Sequence, residues 1–128
     1  MRKGKHDRLF PMMYHRNKNF YPFLEDWRAN SNGRYVVPGL GAFQMDVLKW
    51  PLKDITNQMK YTRDNNVSGQ AYFRAGNITS NLKGLRDSIH AYYPTPAKLP
   101  PLTWLNNHRP APPKNLDIFE DEESYIHI

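Results

Sequence analysis

Cysteine is absent from the 128 residues, which excludes a disulfide framework and a thiolate metal centre but leaves the compartment open, because many exported bacterial domains also lack disulfides. No apolar run approaches the roughly 18 residues that suggest a membrane-spanning helix. The opening MRKGKHDRLF starts with the basic residues of an export signal but meets Pro11 without the apolar stretch of about 7–15 residues that such a signal carries. An export signal is therefore not expected in this chain. The histidines His6, His15, His90, His108 and His127 are scattered, without an i, i+4 pairing or a surrounding carboxylate cluster, so neither a metal site nor a cofactor is expected. Gly39 and Gly41 form a Gly-x-Gly, yet Ala42-Phe43-Gln44 follows and no dinucleotide fingerprint continues from it. These glycines are read as permitting close packing where a strand ends. Asn77-Ile78-Thr79 matches a glycosylation sequon by pattern alone.

What is present suffices for a core: 39% of residues are hydrophobic and 13% aromatic, against eleven prolines and a mean hydropathy of −0.80. The formal charge is +6 and the isoelectric point about 9.6. Part of that excess is the cluster Arg2, Lys3, Lys5 and Arg8, the basis of one alternative: a small basic module for nucleic acid or an anionic polymer. The remaining basic residues are interleaved with acids, as on a solvated surface, and the sign reverses at Glu120, Asp121, Glu122 and Glu123. A nucleic-acid partner is not expected on the main reading.

Three apolar segments organise the chain: LFPMMY at 9–14, GRYVVPGLG at 33–41 and SGQAYFRA at 68–75. Near-continuous apolar runs bounded by turn residues read as parallel strands buried on both faces. Helical patterns alternate with them. Residues 21–28 place Pro22 in the first helical position and Leu24 and Trp27 on one face, and Asn30-Ser31-Asn32-Gly33 stops the pattern. Pro51 opens a second helix, along which Leu52, Ile55 and Met59 form an apolar stripe, running to about Asn65-Asn66. A third is expected over 82–91, with Leu82, Leu85 and Ile89 on one face and Gly84 weakening it. From 93 to 113, seven prolines exclude regular elements, so this stretch reads as a covering loop and then a linker. Residues 114–118 and 125–128 alternate apolar and polar, the pattern of half-buried antiparallel strands.

Read in order, Leu9-Phe10-Pro11-Met12-Met13-Tyr14, Phe20-Tyr21-Pro22-Phe23, Asp26-Trp27 and the 33–41 segment make one string with Trp50-Pro51-Leu52, Asp54-Ile55, Gln58-Met59, Gly69-Gln70-Ala71-Tyr72-Phe73-Arg74, Lys83-Gly84-Leu85 and Leu99-Pro100-Pro101-Leu102-Thr103-Trp104. Over about 9–105 this string resembles the C-terminal part of the glycosyl hydrolase-like 10 family. The family comprises bacterial cell-envelope proteins with a (β/α)₈ barrel, linked to cleavage of peptidoglycan glycan strands. The resemblance implies an α/β fold, a partial TIM barrel made of the last three βα units. It also implies a cell-envelope or secreted location for the intact family member. Pro110-Ala111-Pro112-Pro113-Lys114-Asn115-Leu116 looks like the entry to a fibronectin type III-like sandwich. The expected organisation is a basic segment at 1–8, barrel units at 9–105, and a linker with the start of a β domain at 106–128. On this reading the chain is a fragment, inactive alone.

In (β/α)₈ enzymes the carboxyl ends of the strands and the following loops face the substrate. For this chain those positions are Tyr14, His15 and Arg16, then Phe43, Gln44 and Asp46, then Tyr72, Phe73 and Arg74. Aromatic rings stack on sugars, while Arg, His and Gln hydrogen-bond hydroxyls, N-acetyl groups or carboxylates. Tyr14, His15, Arg16, Gln44, Asp46, Tyr72 and Arg74 are accordingly the expected glycan-binding residues. Tyr72 and Phe73 must point to opposite faces, so at most one of them reaches the cleft. Glycoside hydrolysis requires two carboxyl groups, and no such pair is evident: Glu25, Asp26 and Asp54 belong to helices, and Asp46 alone falls after a strand. The catalytic residues stay unassigned. Two further alternatives remain, a non-catalytic carbohydrate-binding piece and a compact open sheet whose unpaired edges drive self-association.

Overall fold

Apolar, β-branched and aromatic residues set between turn formers favour extended backbone. In the computed structural model, which describes residues 6–105, 111–114, 119–120 and 126–127, the three apolar segments run side by side. β1 (Arg8–Leu9) pairs in parallel with β2 (Tyr35–Val36), and β3 (Gly39–Leu40) pairs in parallel with β4 (Ala71–Tyr72). A bridge between Met12 and Gly39 connects the two pairs. Residues 35–41 therefore act as one central strand. On one side the amides of Tyr35, Val37 and Gly39 donate to the carbonyls of Asp7, Leu9 and Pro11, and on the other the carbonyls of Pro38 and Leu40 accept from Ala71 and Phe73. Pro11 and Pro38 have no N–H to give, which breaks what would otherwise be a longer ladder into two-residue strands. The outer edges of β1 and β4 have no strand partner among the described residues.

Helical segments follow each strand position. α1 (Tyr21–Ala29) carries Pro22 in its first turn, and Asn32 and Gly33 end the connection with φ of 51° and 74°, values that Asn and Gly adopt at little cost. α3 (Leu52–Asp64) starts directly after Pro51 and buries Ile55, Gln58, Met59 and Thr62. Two short helices occupy stretches where the sequence pattern suggests loops: α2 (Gln44–Val47) after β3, and α4 (Ala75–Thr79) after β4. The third expected helix is corrected at its start. Gly84 takes φ of +83° and caps α5 (Leu85–Tyr92), while Leu82–Gly84 forms a separate 3₁₀ turn. The Asn81 carboxamide oxygen accepts from the amides of Arg86 and Asp87, so a side chain outside the helix supplies its first partners.

The strand face bearing Val36 and Leu40 meets the helices. Phe20, Leu24, Leu40, Met45, Ile55, Met59 and Leu85 are fully buried there and form the core with Val36. Strand alternation sends Phe10, Met12, Gly39, Gly41 and Phe73 to the other face, where Phe10 and Met12 are exposed. Gln44, the first residue of α2, reaches that face beside Gly41.

Trp104 closes the amino end of the sheet. Its Nε1 donates to Asp7 Oδ1 at 2.6 Å, its ring lies 4.8 Å from that of Tyr35, and the Arg34 guanidinium sits 4.6 Å above it. The Tyr35 hydroxyl donates to the Pro101 carbonyl. Farther on, β5 (Phe119–Glu120) pairs antiparallel with β6 (Ile126–His127). Most of the expected 114–118 strand, the cluster Arg2, Lys3 and Lys5, and His108 lie outside the described residues.

Candidate functional site

Glycine sets the floor of the site. A Cβ on Gly39 would lie 3.1 Å from the Tyr14 ring, and one on Gly41 would lie 3.2 Å from Tyr14 Cβ and 3.3 Å from its Cα. Without those side chains the Tyr14 ring settles on the central strand. There it meets two more rings. Phe73 stacks on Tyr14 with centroids 5.5 Å apart at 24°, and Phe43 stands edge-on to both, 5.5 Å from each. The Phe43 amide donates to the Phe73 carbonyl at 2.9 Å, tying the loop after the central strand to the end of the third.

The three rings come from the carboxyl ends of three adjacent parallel strands and share the face opposite Val36 and Leu40. Tyr14 and Phe43 are half-buried, and Phe73 is 49% exposed. Such a cluster offers apolar ring faces with one phenol hydroxyl, suited to a flat ligand that is apolar on its faces and polar at its rim.

The expected site residues divide around this cluster. Gln44, half-buried at the start of α2, lies beside Gly41, its Cγ 3.2 Å from the position of a Cβ there. Arg74 is exposed next to Phe73, and its backbone amide donates to Asn77 Oδ1 at 3.4 Å, capping α4. The His15 carbonyl accepts from Gln58 Nε2 at 2.7 Å. The His15 side chain opens instead onto a groove of about 440 Å³ along the outer edge of the first strand, lined also by Met12, Phe23 and Trp27. Arg16 turns toward α3, paired with Asp54 at 2.7 Å and 5.2 Å from the Trp50 ring. Asp46 is exposed on α2 and 3.4 Å from Lys49. Its position is helical rather than in a loop, and there it forms a solvated ion pair.

Tyr72 packs on the helix side. Its hydroxyl accepts from Gln70 Nε2 at 3.0 Å, and burial pushes its pKa well above the usual tyrosine range, the Gln70 bond opposing and the nearby Tyr93 adding to the shift. Phe73 is thus the member of the pair that joins the cluster. The sequence signal that brings in Phe43 and Phe73 is their place at strand ends, and strand alternation then separates Phe73 from Tyr72.

Asp46 and Asp54 are each in an ion pair. Among the described residues no three His, Cys, Asp or Glu side chains come together to hold a metal ion, and no helix is long and apolar enough to cross a membrane. No family model matches the sequence, and no curated protein or solved structure is significantly similar to it.

Proposed function

We propose that the chain supplies three consecutive strand–helix units of a glycosyl hydrolase-like (β/α)₈ barrel and forms one wall of its glycan cleft. The observation that carries this reading is the cluster of Tyr14, Phe43 and Phe73 at the carboxyl ends of three adjacent parallel strands, the end at which barrel enzymes bind substrate. Two features support it. The uncovered apolar face and the open strand edges are what a barrel would hide by closing. The glycine floor positions the rings before any ligand arrives, which limits the ordering cost of binding.

In this reading the rings stack on sugar faces while Gln44 and Arg74 reach hydroxyl, N-acetyl or carboxylate groups. The residues that cleave the O-glycosyl bond belong to other units of the barrel, because two carboxyl groups at a defined separation are needed. The open edges are covered in the intact barrel by its remaining strands, and in isolation they favour self-association.

Calorimetric titration of the chain with a β-1,4-linked N-acetylglucosamine oligomer tests the proposal. Saturable binding is expected, weakened roughly three- to tenfold by Phe73→Ala or Tyr14→Ala, the range of an aromatic contact. Binding without hydrolysis accords with a cleft wall. Absence of binding, or affinity unchanged in both variants, would remove the basis for a glycan site here.

A further inference from the structure

A second cavity, of about 510 Å³, opens at the amino end of β4, at the opposite end of the strands from the three rings. Gln70 is its hub. The carboxamide Nε2 donates to the Tyr93 hydroxyl at 2.7 Å and to the Tyr72 hydroxyl at 3.0 Å, and Oε1 accepts from the Thr62 hydroxyl at 2.7 Å. Gln70 thereby gathers the Tyr72 and Tyr93 hydroxyls at one edge of the cavity, with Thr62 behind it held also by the Met59 carbonyl at 2.8 Å. Burial raises the pKa of Tyr72, so its hydroxyl stays a donor throughout the neutral range.

Arg63 stands beside them. Its Nη1 donates to the Tyr92 carbonyl and its guanidinium lies 5.1 Å from the Tyr93 ring, and its remaining N–H groups make no further hydrogen bond among the described residues. Ser68 adds a hydroxyl, and no Asp or Glu lines the cavity among the described residues. The negative end of α3 nearby is quenched, because the carbonyls of Tyr61, Thr62 and Arg63 accept from the amides of Asn65, Val67 and Asn66.

We infer that this cavity binds a small organic oxyanion, a carboxylate or phosphate ester, held by Arg63 and the hydroxyls of Tyr72 and Tyr93. A cavity of this size falls within the range of small-molecule sites, roughly 300–1,000 Å³, and exceeds what a bare anion fills. Val67, Ala97 and the Tyr93 ring supply apolar wall for the ligand's body. The inference is independent of the glycan reading, since it concerns the other end of the strands.

Titration of the full chain with phenyl phosphate, benzoate and inorganic phosphate, followed by amide NMR shifts, tests it. Saturable shifts centred on Ser68 and Gly69 are expected for phenyl phosphate or benzoate, and the tighter of the two identifies the head group. Inorganic phosphate should bind more weakly than phenyl phosphate. Arg63→Gln should weaken binding at least about tenfold, as for the loss of a charged hydrogen-bonding partner. Tyr93→Phe, which keeps the ring under Arg63, should weaken it roughly three- to tenfold and serves as the decisive variant if Arg63→Gln fails to fold. Arg86→Gln, on the exposed side of α5, should leave affinity unchanged. The inference fails if shifts do not saturate, if Tyr93→Phe binds as wild type, if inorganic phosphate matches phenyl phosphate, or if Arg86→Gln weakens binding as much as Arg63→Gln.

Discussion

At Gly41 a hydrogen in place of a methyl group decides whether the aromatic site forms. A Cβ there would meet Tyr14 at its backbone Cα, 3.3 Å away, as well as Gln44 Cγ at 3.2 Å. The flexible Gln44 side chain can swing aside, but the Tyr14 backbone directly follows Met13, whose amide donates to the Gly39 carbonyl. Gly41→Ala is therefore expected to destabilise by about 1–3 kcal/mol, the cost of overpacking, and to displace Tyr14 from Phe73. Gly76, inside α4 with nothing within 4 Å, provides the contrast: Gly76→Ala should stabilise by up to about 1 kcal/mol through helix propensity. Urea denaturation of both variants checks the pair, and equal effects of the same sign would show that the contact at Gly41 is not what matters. At this scale close packing at Gly39 and Gly41 follows from strand logic, and so does the separation of Tyr72 from Phe73 onto opposite faces; which of the two joins the rings does not, and the expected Tyr72 is replaced by Phe73 because alternation alone does not say which face the helices take. The fates of Arg16 and Asp46 were not legible. Each depends on a partner, Asp54 or Lys49, and only the folded backbone fixes whether those charges meet.

Among the elements, long amphipathic segments announced themselves and short ones did not. Leu52, Ile55 and Met59 recur often enough to specify α3, and Pro22 and Pro51 mark the starts of their helices. α2 and α4 span four and five residues, too few for any periodicity to emerge, and Gly84 was legible as a weak helix residue but not as the positive-φ cap that it is. The docking of α3 against β4 rests on a polar link that no periodicity encodes, Thr62 to Gln70 to Tyr72. That link responds to pH. Burial raises the Tyr72 pKa above its ordinary value of 10.0, so the folded state favours the neutral phenol, and as pH rises the unfolded chain ionises first. The stabilisation is intact below about pH 10 and is lost progressively as pH climbs toward the folded-state value. Tyr21 and Tyr61 are shifted in the same direction, each mainly by burial, and contribute to the same alkaline limb. Stability measured by urea unfolding should fall between pH 9.5 and pH 11.5, two values about the ordinary tyrosine pKa, and Tyr72→Phe should flatten that fall without abolishing it. An unaltered slope in Tyr72→Phe would mean that the phenol titrates the same way folded and unfolded.

For the whole molecule the decisive asymmetry lies between the two faces of the sheet. One face carries the buried Val36 and Leu40, while the other leaves Phe10 59%, Met12 75% and Phe73 49% exposed. Contiguous apolar exposure of this kind marks an interaction surface in a soluble protein, and the outer edge of β1 adjoins it with unpaired backbone groups. The parallel strand rhythm was legible because both faces of each strand carry apolar residues, as they do in buried parallel sheets; the count of strands implied two unpaired edges, but the exposure of one face was not foreseen. Whether further barrel units or another copy cover that face, the isolated chain should associate as its concentration rises. Met12→Lys together with Phe10→Ser removes apolar area from the open face without touching the core, so stability should change by no more than about 0.5 kcal/mol per site, as for exposed substitutions. Sedimentation velocity over a hundredfold concentration range should show the wild-type chain growing in mean mass and the double variant remaining monomeric. A wild-type chain that stays monomeric throughout would show that the open face is tolerated in water as it stands, and the case for a missing cover, in the barrel or in a second copy, would then rest on the ring cluster alone.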